Sequence, residues 1–406
     1  MKRFVAGLWV GLTLLAVSCR KDEALQPLPP DPPPGPQPAQ TEFNMENPLV
    51  TSYLDWLEKL PYRDGDYSYS NIDDFYLTET DYRKDWPSPA TISWEKAAGG
   101  STQRVVLADN PGFEDAVTVS ISGSAVKHDI YNLIPGKEYW WKVTSTAGEA
   151  VGSGSFRTLG RKRFLKVDKV CNVRDLGGIP TADGTKRIKY GILFRGGEMN
   201  GHHKDYDGVF CRIGTPGTRA MLQAGIAADL DMRTADEAEL ITSSPLGSDL
   251  DYIRFETVNK YYYDKFWTTD EYIKALQWTI DELRQGKPVY FHCVFGADRT
   301  GTFAFIIESL LGVSENQIAI DYELTSFSYG LEAPPRRRGP KNELSVYRYR
   351  QMAEGLRTSV FTGATWQEKI YNFCLNGYPY GPSTAAKISA ADLDWFIENS
   401  LEAIDK

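Results

Sequence analysis

Histidine and cysteine are scarce in this chain of 406 residues, with four of the first and five of the second. The histidines are His128, His202, His203 and His292, and the only close pair is adjacent in sequence. Adjacent side chains diverge in regular structure, so His202 and His203 read as a surface pair rather than a metal site. Beyond Cys19, the cysteines Cys171, Cys211, Cys293 and Cys374 show no paired spacing. That argues against a disulfide framework and leaves open a single bridge among Cys171, Cys211 and Cys374. Long apolar runs are lacking too: Phe4 to Val17 is too short to span a bilayer comfortably. Positive charge is in deficit, with 45 Lys and Arg against 54 Asp and Glu and a net charge of -9. Nucleic acid is therefore a poor candidate for the main partner, although a local phosphate site remains compatible.

What is present begins with a targeting segment. Lys2 and Arg3 precede the apolar run, and Leu15-Ala16-Val17-Ser18-Cys19 follows within it and just after it. This stretch resembles a bacterial lipoprotein cleavage site. It implies removal of residues 1–18 and a lipid on Cys19, hence an exported lipoprotein at the outer membrane, on its periplasmic face or at the cell surface. Residues 19–42 are dominated by proline, so they read as a stiff tether rising about 3.1 Å per residue.

Residues 43–86 stay ambiguous, except that Asn47-Pro48 predicts a helix start with Asn47 as cap and a helix running to Leu60. Residues 87–160 alternate apolar and polar in Ala90–Trp94 and Val117–Ile121, with turn residues between. The run Leu133-Ile134-Pro135-Gly136-Lys137-Glu138-Tyr139 to Val143 resembles the fibronectin type III domain, and Gly154–Thr158 fits its last strand. The resemblance implies an all-β sandwich with Trp94 and Tyr139 in its core. From residue 161 to 406, strand and helix patterns alternate as in an α/β domain with a central sheet flanked by helices. Strands are predicted at Ala227–Asp231, Asp251–Phe255 and Pro288–Phe291, and helices at Thr218–Ala224 and Asp270–Leu283. Pro334 to Lys341, with three arginines, reads as a solvated basic loop.

Residues 292–301 carry the chemistry: His292-Cys293-Val294-Phe295-Gly296-Ala297-Asp298-Arg299-Thr300-Gly301. A short apolar strand precedes them, and Thr300–Leu311 reads as a helix with one apolar face. A cysteine thus ends a strand, and an arginine opens a helix. Backbone amides of such a loop and the helix N-terminus favour a tetrahedral oxyanion. The same groups and Arg299 favour the thiolate of Cys293. A guanidinium grips two phosphate oxygens at once, which a lysine cannot do.

The loop resembles that of the bacterial tyrosine-phosphatase family within the cysteine-dependent phosphatases, with its His-Cys-x-x-Gly-Lys-Asp-Arg-Thr-Gly signature. Asn172-Val173-Arg174-Asp175-Leu176-Gly177-Gly178, Leu193-Phe194-Arg195-Gly196-Gly197, Asp231-Met232-Arg233-Thr234 and Asp321-Tyr322-Glu323-Leu324-Thr325 are similar to further motifs of that family, in order. Glycine stands at 196 where the motif has serine, and alanine at 297 where it has lysine. The resemblance implies a phosphatase acting on phosphotyrosine or on mixed protein phosphomonoesters, through a cysteinyl-phosphate intermediate. Cys293 would be the nucleophile, Asp298 the proton donor, Arg299 the phosphate clamp, and Thr300 the partner of the sulfur. Val294, Phe295, Gly296, Ala297, Gly301, Arg174 and Asp175 would bind substrate. No metal and no cofactor are implied when cysteine is the nucleophile. Asp264, upstream in a Tyr- and Trp-rich stretch, is the rival acid. Other readings are an inositol phosphate or phosphoinositide phosphatase, which the loss of the lysine disfavours, a phospho-ligand binder without turnover, and an adhesive surface protein.

Overall fold

The computed structural model describes residues 41–59, 75, 86–96, 102–146, 148–204, 210–238, 241–256, 266, 268–328, 346–377 and 385–404. Cys19, the tether up to residue 40, Asp264 and the basic loop 334–341 lie outside the described residues.

The first strands are β1 (Thr41–Asn44), β2 (Ala90–Ser93), β3 (Gln103–Ala108), β4 (Val117–Ile121), β5 (Lys127–Ile130), β6 (Glu138–Ser145) and β7 (Ala150–Leu159). Five form a sheet in the order β1-β7-β6-β3-β4, and β2 and β5 form a second. Alternation sends Val105, Tyr139, Val143 and Phe156 of one sheet into a core shared with Ala90 and Ile92 of the other and with Trp94. The two large aromatics bring polar atoms that need partners. Trp94 Nε1 donates to Gln103 Oε1 at 2.8 Å, and Tyr139 Oη accepts from the Ile134 amide at 3.0 Å.

Of residues 43–86, those described pack into the rest of the chain. β1 already starts inside the stretch read as tether and pairs in parallel with β7. Helix α1 (Pro48–Lys59) follows, and Asn47 Oδ1 accepts from the Leu49 amide at 2.8 Å. Proline at the first helical position costs no hydrogen bond. Leu49, Val50, Tyr53 and Leu54 pack with Phe164, Ile320, Leu324 and Phe327, residues of the following α/β part. Glu46 accepts the amides of Arg161 and Lys162 at 2.5 and 2.8 Å. The α/β part is therefore covered by the N-terminal segment, and a boundary at residue 161 cuts through a shared apolar core.

The α/β part is built on a six-stranded sheet in the order β15-β14-β16-β11-β9-β8. Its strands are β8 (Arg163–Phe164), β9 (Arg174–Asp175), β11 (Leu193–Gly196), β14 (Ala228–Asp231), β15 (Asp251–Arg254) and β16 (Val289–His292). Two ribbons lie beside it: β10 (Lys186–Ile188) with β17 (Leu401–Ala403), and β12 (Asn200–Lys204) with β13 (Phe210–Arg212). β11, β14, β15 and β16 run parallel, and parallel neighbours need helical crossovers. Helices α2 (Thr215–Gln223) and α3 (Glu271–Arg284) supply two of them. Helix α2 begins three residues before the predicted Thr218, because Pro216 sits harmlessly in the first turn. The remaining helices are α4 (Arg299–Leu310), α5 (Glu315–Leu324), α6 (Val346–Arg357), α7 (Trp366–Asn376) and α8 (Ala390–Ser400). Helix α4 differs from the expected one-faced pattern. Every residue from Arg299 to Leu310 is buried, as its nearly continuous apolar sequence requires.

Tyr53 is fully buried between the two parts. Tyr53→Ala is expected to cost about 3–5 kcal/mol, the usual loss for deleting a buried aromatic. Chemical denaturation measures it; a loss below about 1 kcal/mol would mean that α1 is not part of the core.

Candidate active site

β16 lies between β11 and β14 in the middle of the sheet, and its carboxyl end carries Cys293. Ligands of parallel sheets sit at that end. Residues 293–298 then turn into α4. Gly296 has φ +65°, and a Cβ there would lie 2.3 Å from the carbonyl carbon of Gly196. Only glycine meets both demands. A Cβ at Gly196 would in turn lie 2.4 Å from Tyr290 Oη, and that hydroxyl donates to Gly197 O at 2.5 Å. The tyrosine thus takes the space of a serine side chain at 196.

The loop carbonyls are all captured. Val294 O accepts from the Glu198 amide at 3.0 Å. Asn172 Nδ2 donates to Phe295 O at 3.2 Å and to Gly296 O at 2.9 Å. Arg195 donates to Gly296 O at 3.0 Å. Ala297 O and Asp298 O accept from Gly301 and Thr302 within α4, at 3.0 and 2.8 Å. In a trans peptide the N–H points opposite to its C=O. The amides of residues 295–299 therefore point away from those partners.

A buried charge cluster holds the donors. Asp321 accepts from Arg174 Nε at 2.9 Å and pairs with Arg195 as well. Burial opposes its charge, but Arg174 and Arg195 win and hold its carboxyl far below the usual range. Arg174 also donates to Asn172 Oδ1, and Asn172 itself adopts φ +58°, a conformation asparagine tolerates. Arg174 is pulled down to about 10 by burial and by Arg195. It is 1 % exposed, and its guanidinium donates to Asn172 and Asp321. Asp175 is likewise buried: it accepts from Arg163 and from the amides of Gly177 and Gly191, each at 2.8 Å. The polar atoms of both residues bond within the protein.

Arg299 is fixed by a partner that the loop motif does not include. Its two terminal nitrogens pair with Glu237 at 2.5 and 3.1 Å, and one also donates to Met232 O at 3.2 Å. Glu237 is held by the amide and hydroxyl of Thr234, at 2.9 and 3.0 Å. The spacing Thr234-x-x-Glu237 is a capping-box signature, the signal that locates this carboxylate. On the strand side, His292 Nε2 lies 3.1 Å from Asp229 Oδ1. Burial disfavours its charge, but Asp231 and Asp229 raise its pKa above the ordinary histidine value.

Cys293 is 3 % exposed. Burial alone would push the thiol up; the charge of Arg299 and the hydroxyl and amide of Thr300 outweigh it and bring the pKa below the ordinary value. Thr300 Oγ1 is buried and bonds to no other group. Asp298 is half-buried at the first turn of α4. Ala297 and Gly301 are buried in the loop and helix start. Cys374 is a buried free thiol. Among the described residues, no cluster of three His, Cys, Asp or Glu is placed to hold a metal.

A depressed thiol pKa has a direct consequence. Iodoacetamide should alkylate Cys293 with a midpoint below that of an ordinary cysteine thiol. Arg299→Ala removes the cation that favours the thiolate and should move the midpoint to higher pH. An unshifted midpoint in the parent protein would contradict the electrostatics described.

Residues 165–364 match the model of the tyrosine phosphatase family. No curated protein matches the chain. The crystal structure of P. aeruginosa TpbA is similar at 14 % identity and a TM-score of 0.27, covering 43 % of this chain and 84 % of its own. A Cys-to-Ser variant of TpbA in complex with pTyr aligns at 13 % identity and a TM-score of 0.24, covering 42 % of this chain and 90 % of its own. The family match spans Asn172, Arg195, Glu237, the loop from Cys293 and Asp321, and it supports a tyrosine phosphatase.

Proposed function

We propose that this chain is an exported phosphatase that hydrolyses phosphotyrosine, or protein phosphomonoesters more broadly, through a cysteinyl-phosphate intermediate. The observation that carries this reading is the buried Cys293 at the end of β16, followed by a loop whose Val294, Phe295 and Gly296 carbonyls are bound by Glu198, Asn172 and Arg195. The Cys293 thiolate attacks phosphorus, the ester P–O bond breaks, and Asp298 gives its proton to the departing oxygen. Water then attacks the phosphocysteine, Asp298 takes the proton, and the S–P bond breaks to release phosphate and regenerate the thiolate. The loop amides and Arg299 hold the equatorial oxygens throughout, and Glu237 keeps the guanidinium in its plane. Thr300 stabilises the departing sulfur. Phosphate chemistry of this kind calls on no metal or cofactor.

The N-terminal sheets suit a fibronectin type III-like sandwich; two sheets around Trp94, with Tyr139 bonded to the Ile134 turn, support it. A lipid on Cys19 would anchor the protein to the outer membrane, and Cys19→Ala should then leave the membrane fraction.

Turnover of a phosphotyrosine peptide tests the mechanism. Cys293→Ser should abolish it, and Asp298→Asn should slow it about 10²–10⁴-fold, while nitrophenyl phosphate, whose leaving group needs no proton, suffers far less. Near-normal turnover by Cys293→Ser would overturn the cysteine mechanism. If Asp264→Asn alone showed the leaving-group dependence, the acid would be Asp264 and Asp298 would only order the loop.

A further inference from the structure

We propose that Asp229 is a positioning residue for the nucleophile: it holds His292 with a proton on each ring nitrogen, and His292 in turn holds the carbonyl of Cys293. The proposal rests on the phosphatase reading above. The family-like motif at the end of β14 starts at Asp231, so Asp229 lies outside it. β14 and β16 run parallel, with Asp229 opposite Tyr290 and Asp231 opposite His292. Side chains two positions apart on a strand share a face, so these residues stand on one side of the sheet. Apolar residues fill much of that side: Phe194, Met199, Met221 and Leu246 pack with Tyr290.

The two carboxylates are both fully buried, but their partners differ. Asp231 accepts from the Arg233 guanidinium at 2.7 and 2.9 Å and from the Tyr252 hydroxyl at 3.1 Å. The oxygens of Asp229 make no hydrogen bond of good angle among the described residues. Its partner there is one of charge: His292 Nε2 lies 3.1 Å from Asp229 Oδ1. A buried carboxylate is costly unless a cation accompanies it. The other ring nitrogen, Nδ1, lies 3.3 Å from Cys293 O. Both nitrogens therefore face oxygens, of a carboxylate and of a carbonyl, that only accept. A neutral imidazole turns a lone pair on one of them, whereas an imidazolium offers an N–H to each. Burial opposes the charged ring, and Asp231 and Asp229 outweigh it. The other groups facing the ring do not supply that charge. Arg233 works against it and is itself matched by Asp231 and Glu198. Tyr290, stacked on His292 at 5.4 Å, and Tyr252 stay neutral, because burial raises both phenols.

Holding Cys293 O extends the capture of carbonyls to the residue that carries the sulfur. With that oxygen bound, the Val294 amide points the opposite way. A neutral ring with its proton on Nε2 would present a lone pair to the same oxygen and release it.

The test uses the full chain as parent, Asp229→Asn, His292→Asn and the double variant. Asparagine keeps the shape of Asp229 and removes its charge. The chain has four histidines, so the ring resonance of His292 is identified by its loss in His292→Asn and followed against pH by NMR. Asp229→Asn should lower its midpoint. Activity should then fall as pH rises through that midpoint: kcat/KM on a phosphotyrosine peptide should drop about 10- to 100-fold at about pH 8, the scale of one hydrogen bond from a charged group, and far less at about pH 6. In the His292→Asn background, Asp229→Asn should change kcat/KM by less than about twofold, because its effect runs through the ring. An unmoved midpoint, a loss independent of pH, or equal losses in both backgrounds would overturn the proposal. Should Asp229→Asn not fold, the parent titration decides: a His292 midpoint at or below that of an ordinary histidine overturns it, and a higher one supports it. A parent protein that releases no phosphate from the peptide would overturn the phosphatase reading, while the titration still decides whether Asp229 charges His292.

Discussion

The Gly296 carbonyl is held on the outer side of the loop by two donors, Asn172 at 2.9 Å and Arg195 at 3.0 Å. Much of the site follows from that one capture. A peptide plane turned outward at its oxygen is turned inward at its nitrogen. With the neighbouring carbonyls also bound, the inward amides gain a fixed orientation before any ligand arrives, which is the form of electrostatic help that costs no reorganisation during reaction. The same turn demands φ +65° and a bare Cα at Gly296. The fold supplies the rest by placing β16 centrally, so that Cys293, the residue just after it, brings the sulfur to the loop.

Holding two donors in a dry interior has an electrostatic cost. Arg174 and Arg195 are both almost fully buried, and Asp321 is their common counter-charge. A buried pair of this kind contributes little net stability, but breaking it strands a charge at about 3–5 kcal/mol. The cluster therefore specifies geometry more than it stabilises. Asp321 belongs to α5, whose Ile320 and Leu324 pack on α1. The N-terminal helix thereby braces the element that carries the counter-charge. This gives a physical reason for the α/β part and the N-terminal segment to share one core instead of joining as beads on a string.

Local chemistry made the loop legible in the sequence: strand, cysteine, glycine, arginine and buried helix occupy consecutive residues, and each has one geometric role. Strand positions at Ala228–Asp231, Asp251–Arg254 and Val289–His292 followed from apolar runs bounded by turns. Long-range partners were much less legible. Arg174 and Asp175 are substrate ligands only by what the family resemblance implies. Only the tertiary structure shows their donors and acceptors spent on Asp321, Asn172 and Arg163. Glu237 carried a local signal, the Thr-x-x-Glu spacing, but its pairing with Arg299 depends on bringing the end of β14 beside β16. The packing of α1 was hidden for a simpler reason. A helix's apolar face tells that it is covered, not by what.

Oxyanion affinity tests the captured carbonyls most directly. Tungstate binding to Cys293→Ser, measured by calorimetry, isolates the cradle from the chemistry. The account predicts clear binding there, and at least about tenfold weaker binding when Asn172→Ala is added, the scale of one lost hydrogen bond to an orienting group. Equal affinity in the two proteins would contradict the claim that outward capture of the carbonyls aims the amides.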